Sequence, residues 1–205
     1  MKTLLIIPAY NEEESLVATI ESVQEVVPEI DFLIINDGSK DNTVKICREH
    51  QYPFVDLSTN LGLAGGFQTG MKYAYRHGYD CAIQFDADGQ HLPQYIPAMM
   101  KAIESADIAI GSRFIDAKKP KSMRMLGSNL IEGAIKLTTG KTLTDPTSGM
   151  RAFNKRMIEQ MARGLNMGPE PDTVSYLIKR ANAKVVEVPV TMAERFAGES
   201  YLNPW

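Results

Sequence analysis

Residues 84–91 read QFDADGQH, and the apolar segment CAIQF runs directly into Asp86 and Asp88. Two carboxylates one residue apart repel each other, and a turn needs only one Asp or Asn to stabilise its backbone. The pair therefore points to a cationic partner. Mg²⁺ and Mn²⁺ want hard oxygen ligands and often take one or two carboxylates, with substrate phosphates completing the shell. The competing reading is a turn in which Asp88 accepts backbone N–H groups, and so short a motif does not decide alone. Asp37, in NDGS, offers a carboxylate to a nucleobase N–H, or else an Asx-turn or helix cap. NLGLAGG, residues 60–66, takes small residues into a helix start, where backbone can approach a diphosphate. For each glycine singly, a flexible loop with a helix cap competes. Arg113 and Arg195 stand at the ends of strand segments, where a planar guanidinium can clamp a phosphate or make a surface ion pair. His91 could complete a metal shell, but as a lone loop histidine it is expected to be exposed. The basic run AKKPKSMR, residues 117–124, suits phosphates, an anionic membrane surface or plain solvent.

These residues need elements to position them, and strand and helix signals alternate. Residues 4–7, 32–35, 54–57, 81–85 and 108–110 are short apolar runs that read as buried strands. Asn11 with Glu14 predicts a capping box, and Leu16, Ile20, Val23 and Val27 follow at helical spacing. Further helices are predicted to about His50, from NLGLAGG to about Arg76, and over 93–105. Five β-then-α units imply an α/β domain with a mainly parallel sheet. Ligands of such sheets bind beyond the carboxyl ends of the strands. Pro8-Ala9-Tyr10-Asn11, Asn36-Asp37-Gly38-Ser39, Asp86-Ala87-Asp88 and Gly111-Ser112-Arg113 all fall there. In the second half, residues 122–139 predict an amphipathic helix carrying Met125, Leu126, Ile131, Ile135 and Leu137. DPTSGMRAF is a loop into a short strand, 172–181 a helix, and 184–190 a last strand.

A chain of 205 residues, 44% of them hydrophobic, suffices for one core. It reads as one domain over 1–190 with an arm over 191–205. Charged residues make up 23% and the net charge is -3, which excludes a basic nucleic-acid binder. Cys47 and Cys81 fall on different predicted elements and read as buried, reduced thiols of a cytosolic protein. MKTLLIIPAYNEEE has no small-residue cleavage site and reads as a core strand, not a signal peptide. Nowhere does the chain reach the ~18 apolar residues of a membrane span, so any membrane contact is expected to be peripheral.

The pieces IIPAYNEEESL, IINDGSKDNT, NLGLAGGFQTG, QFDADGQHLP, GSRF, TDPTSGMRAF, EVPV and ERFAGES follow one another along nearly the whole chain. As an ordered set they resemble a family-2 glycosyltransferase of the GT-A fold, in the dolichol-phosphate mannosyltransferase-like and polyprenyl-phosphate sugar transferase branch. The resemblance implies a Rossmann-like, mainly parallel sheet with helices on both faces. It implies a metal-dependent, inverting hexosyltransferase. The sugar would pass from a UDP- or GDP-sugar to a polyprenyl-phosphate or glycan acceptor in cell-envelope polysaccharide or glycolipid synthesis. Pro8, Tyr10 and Glu12 would line the nucleotide pocket, with Asp37 on the base. Asp86 and Ala87 would lie along the ribose and diphosphate, and Asp88, helped by Gln90, would hold Mg²⁺ or Mn²⁺. Arg113 and Arg195 would approach the diphosphate or the sugar. Asp145 would be catalytic base or acceptor organiser, with Glu170 and Asp172 as lesser candidates for the base.

Two departures stand out. Many members carry hydrophobic C-terminal helices that hold them at the membrane, and none follows before Trp205. The resemblance thus leaves a soluble form, a truncated form or an anchor supplied by a partner protein, located in the cytoplasm or at the inner face of the plasma membrane. A family lysine after the arginine-x-x-glycine-x-serine stretch is replaced by Tyr201, so its role does not carry over. A sugar-nucleotide pyrophosphorylase would need a glycine-rich, arginine-bearing loop after the first strand, and PAYNEEE supplies none. The same missing glycines disfavour a nicotinamide dehydrogenase. A non-catalytic nucleotide- or partner-binding module of the same fold is opposed by the intact set Asp86, Asp88 and Asp145.

Overall fold

The computed structural model describes residues 1–115 and 123–193. Arg195, Tyr201, the arm from residue 194 and the stretch 116–122 of the basic run lie outside the described residues, as do the side chains of Met125 and Leu126.

A seven-stranded sheet has the order β3-β2-β1-β4-β6-β5-β7. The strands are β1 (Thr3–Ala9), β2 (Asp31–Asn36), β3 (Phe54–Asp56), β4 (Cys81–Gln84), β5 (Ile108–Ser112), β6 (Arg151–Asn154) and β7 (Val185–Pro189). The helices are α1 (Leu16–Val26), α2 (Thr43–Glu49), α3 (Gly62–Arg76), α4 (Ile96–Ile103), α5 (Met123–Thr139), α6 (Lys155–Arg163) and α7 (Pro171–Ala181). Strand β1 is apolar without alternation because both its faces are covered. Leu4 and Ile6 pack with Phe67 and Met71 of α3, Met157 of α6 and Leu177 of α7. Leu5 and Ile7 pack with Leu16 and Ile20 of α1 and Met99 of α4. Helices therefore cover both faces, as expected.

Parallel pairing joins β1 to β2 and β4, β2 to β3, and β5 to β7. Strand β6 runs antiparallel between β4 and β5, with Arg151 opposite both Gln84 and Ile110. That insertion draws the DPTSG loop, which leads into β6, up to the ends of β4 and β5.

Three local expectations are corrected. The capping box does not form: the N-cap of α1 is Ser15 with no side-chain cap bond. Instead Asn11 has φ 56° and the acidic run ties the β1 exit to the β2 exit. Glu12 N–H donates to Thr43 Oγ1 at 2.9 Å, and Asn42 Nδ2 donates to Glu13 Oε2 at 2.6 Å. Leu137 is 88% exposed while Ile135 is buried, because a two-residue step turns about 200° around a helix. Helix α6 was not expected, although Asn154 caps it by accepting from Met157 N–H at 3.0 Å.

Candidate active site

The ends of β1, β2 and β4 are neighbours in one parallel layer, and a cleft of about 80 Å³ opens above them. Pro8, Glu12, Asp37, Asp86, Ala87 and Asp88 line it. Gly62, Leu63 and Gly66, from the first turns of α3, close the other side. Of the described residues expected at the nucleotide-sugar, Tyr10 and Arg113 are absent from this lining. Asp37 is buried, and its Oδ1 accepts Leu61 N–H at 2.6 Å. It therefore fixes the entry to α3 as well as facing the cleft.

Gln84 Nε2 donates to Asp86 Oδ1 at 3.0 Å, and Asp86 N–H donates to His91 Nδ1 at 2.9 Å. His91 is only 4% exposed, which corrects the expectation of an exposed loop histidine. Its acceptor role at Nδ1 leaves the proton of a neutral ring on Nε2, 3.5 Å from Asp86 Oδ2. Asp88 is buried and its Oδ1 accepts Gln90 N–H at 3.0 Å, so a turn and a cleft-lining carboxylate coexist in one residue. Gln90 C=O accepts Ala193 N–H at 3.0 Å, which lays the chain leaving β7 against this loop. Among the described residues no three His, Cys, Asp or Glu side chains assemble into a metal cage. Hard oxygens that leave most of the shell to a ligand fit Mg²⁺ or Mn²⁺ held together with a diphosphate.

A second group lies at the end of β5. Asp145 is fully buried, and Arg113 grips it with Nε to Oδ2 at 2.6 Å and Nη2 to Oδ1 at 2.7 Å. Arg113 N–H adds a third bond to Oδ2 at 3.1 Å. The two groups meet at Gly149, where an added Cβ would stand 2.7 Å from Asp86 Oδ2 and 3.1 Å from His91 Nε2. A side chain at 149 would push Asp86 or His91 aside where the DPTSG loop presses on DADGQH.

Arg151 is the residue that sequence reasoning passed over, although it stood inside the TDPTSGMRAF match. It is fully buried; Nε donates to Ser148 C=O at 2.9 Å and Nη2 to Pro146 C=O at 2.6 Å. Burial pushes its guanidinium down to about 10, opposed by the carboxylates of Glu170, Asp145, Asp86 and Asp172. It thus stays a cation at neutral pH, within the field of acids from the β4 exit, the DPTSG loop and the start of α7. Among the described residues, Arg151 Nη1, Gln84 Oε1 and Ser148 Oγ find no hydrogen-bond partner. The sequence signal was a lone charged residue directly before the apolar pair Ala152-Phe153 of a short strand.

A family model described as "Glycosyl transferase family 2" matches residues 4–162, from β1 into α6. The undecaprenyl-phosphate mannosyltransferase of Micrococcus luteus is 33% identical, over 99% of this chain and 88% of that protein. The UDP-N-acetylglucosamine–dolichyl-phosphate N-acetylglucosaminyltransferase of Methanococcus voltae is 32% identical, over 91% and 83%. Glucosyl-3-phosphoglycerate synthase from Mycobacterium tuberculosis, solved with Mn²⁺, uridine diphosphate and phosphoglyceric acid, superposes with a TM-score of 0.72 at 14% identity. The superposition covers 96% of this chain and 72% of that one. A strand-end cleft of carboxylates, a mainly parallel sheet and this family match lead to one conclusion: the chain belongs to glycosyl transferase family 2 and is a glycosyltransferase with the GT-A fold.

Proposed function

We propose that this protein moves a hexose from a nucleotide-diphosphate donor to a polyprenyl phosphate, with inversion and with the help of a divalent metal. The observation that carries the reading is the cleft that joins Asp37, Glu12, Asp86 and Asp88 to the N-terminal turn of α3. In its support, the Micrococcus and Methanococcus relatives are named for undecaprenyl phosphate and dolichyl phosphate acceptors. Asp37 would read the base through an N–H, a contact uracil and guanine offer alike. Pro8, Tyr10 and Glu12 would bound the nucleoside.

As the donor C–O bond breaks, its electron pair leaves with the diphosphate. Asp88 and Gln90, with Asp86 beside them, would hold Mg²⁺ or Mn²⁺, which supplies Lewis-acid stabilisation of that charge when bound. Leu61 and Gly62 N–H are taken by Asp37 and Asn60, and the N–H groups that follow them in the first turn of α3 would face the same anion. Arg113, and Arg195 from the arm, would add fixed positive charge. A preorganised donor of this kind is worth about 3–4 kcal/mol in the transition state. The acceptor phosphate oxygen attacks the anomeric carbon from the opposite face, so the new C–O bond inverts the centre. That oxygen is already anionic and needs no base. Asp145, buried and occupied by Arg113, is accordingly assigned the organising role and not proton abstraction. Among the described residues no helix is long and apolar enough to cross a membrane. Peripheral contact with the lipid surface that carries the acceptor is part of the proposal, as is a catalytic unit over 1–190 with 191–205 as an arm.

The test is calorimetric titration of UDP, GDP, dTDP and CDP with Mn²⁺, Mg²⁺ or EDTA, for the wild type and Asp88→Ala. One nucleotide should bind only with metal, and the variant should lose it. Binding indifferent to EDTA, or no binding at all, would remove the metal-dependent transferase and leave a binding module of the same fold.

A further inference from the structure

Glu187 lies on β7, opposite Ile110 of β5 in the parallel register. It is half-buried and does not line the donor cleft. Its carboxylate nevertheless takes every bond that the start of the DPTSG loop offers it. Thr144 N–H donates to Oε1 and Oε2 at 2.9 Å each, Thr144 Oγ1 reaches Oε1 at 3.0 Å, and Asp145 N–H reaches Oε1 at 3.0 Å. Thr144 Oγ1 also meets Ser112 Oγ at 2.6 Å, and Ser112 precedes Arg113. A closed circuit results, from β7 through residues 144–145 to the end of β5. Loop backbone beyond a strand end has no ladder to hold it. Here two successive N–H groups are fixed by one anion, through charge-assisted bonds stronger than neutral ones.

We propose that Glu187 is a positioning residue for sugar transfer: by anchoring the 144–145 backbone it aims Asp145, and Asp145 aims the Arg113 guanidinium at the reacting diphosphate. The inference rests on the transferase reading for its kinetic consequence. Its physical content is narrower, that Arg113 is oriented from β7 through two intermediaries. Misplacing a charge-stabilising group by a fraction of an ångström affects the transition state far more than nucleotide binding. An acid whose only work was folding would alter stability and leave turnover per folded molecule unchanged.

Glu187→Gln keeps the shape and replaces one acceptor oxygen with an N–H₂ that opposes the backbone donors. In full-length protein, with undecaprenyl phosphate in detergent micelles, kcat should fall about tenfold or more, while the donor KM moves less than about threefold. Thr144→Val, which removes the shared hydroxyl, should show the same split and stands in if the first variant fails to fold. Combined with Arg113→Lys, either variant should lose little beyond the worse single change, since both act on one guanidinium. Independent of activity, the Nε–H resonance of Arg113 in ¹⁵N-arginine-labelled protein, identified by its loss in Arg113→Lys, should be sharp and protected. In Glu187→Gln it should broaden by exchange. Wild-type kcat in Glu187→Gln, losses that multiply in the double variant, or an unmoved Arg113 resonance would each overturn the proposal. A wild type with no transfer from any donor would instead sink the function reading, and the resonance would then decide the inference alone.

Discussion

Asp86 and Asp145 both sit in loops at strand ends, and their surroundings divide their work. Asp145 is walled in, with both oxygens on Arg113. Asp86 keeps one oxygen on Gln84 and the other near His91, at the edge of the strand-end cleft. Asp145→Asn would therefore not behave as the loss of a base. It removes one member of a buried pair while Arg113, 26% exposed, keeps partial access to water. The cost should be ~1–3 kcal/mol, below the ~3–5 of a wholly buried broken pair. Urea denaturation should show it, and activity should drop at every pH instead of following a new titration. Gly149→Ala tests the junction between the two groups. The added methyl, 2.7 Å from Asp86 Oδ2, should cost ~1–3 kcal/mol of stability or displace Asp86. Metal-dependent nucleotide binding should weaken about tenfold, one decade per ~1.4 kcal/mol. Unchanged calorimetric affinity would show that the approach of the loops is incidental.

Helix α3 lays two of its glycines on the sheet with different consequences. A Cβ at Gly70 would run into Ile6 Cγ2 on the central strand, whereas one at Gly66 would rest 3.8 Å from Ile35 Cγ2, an ordinary contact. Alanine gains ~1 kcal/mol of helix propensity at either site. At Gly70 the overpacking of a fully buried β1 residue, ~1–3 kcal/mol, should win and lower the melting midpoint. Gly66→Ala should hold or raise the midpoint, yet impair nucleotide binding because Gly66 lines the cleft. Equal effects of the two on melting would refute this placement of α3. Element types were legible because strands buried on both faces read as unbroken apolar runs. The order of the sheet was not. Nothing local in RAFN says that it slips antiparallel between β4 and β5, since that choice is made by partners far along the chain. Helix α6 was legible in retrospect, with Met157, Ile158 and Met161 buried behind an Asn cap.

Over the whole molecule, both thiols lie in one core, on the face of the sheet that α1 and α4 cover. Burial pushes Cys47 up to about 11 and Cys81 up to about 12. An unfolded thiol titrates near 8.5. The folded state therefore holds protons that the unfolded state releases, and this contribution is complete below about pH 8.5. It should be lost as pH rises through about 11 to 12, so the urea midpoint should fall between pH 8 and pH 11. A midpoint that rises over that range would contradict the burial. At pH 8 a disulfide reagent should label both cysteines rapidly in urea and barely at all in the native protein.

By itself the sequence determined the alternation of elements, the strand-end location of the acids and the family, because apolar period, turn chemistry and motif order are local properties of the chain. Pro8, Glu12, Asp37, Asp86, Ala87 and Asp88 do share one cleft, as the adjacency of β1, β2 and β4 requires. Only the tertiary structure decided that His91 turns inward and that Asp145 is claimed by Arg113. It alone placed Arg151 under the acids and Glu187 behind Thr144 and Asp145. The hydrogen bonds among them join residues up to 43 positions apart, fixed by sheet register and by what burial leaves each polar group to bond. Spacing along the chain carries no record of them.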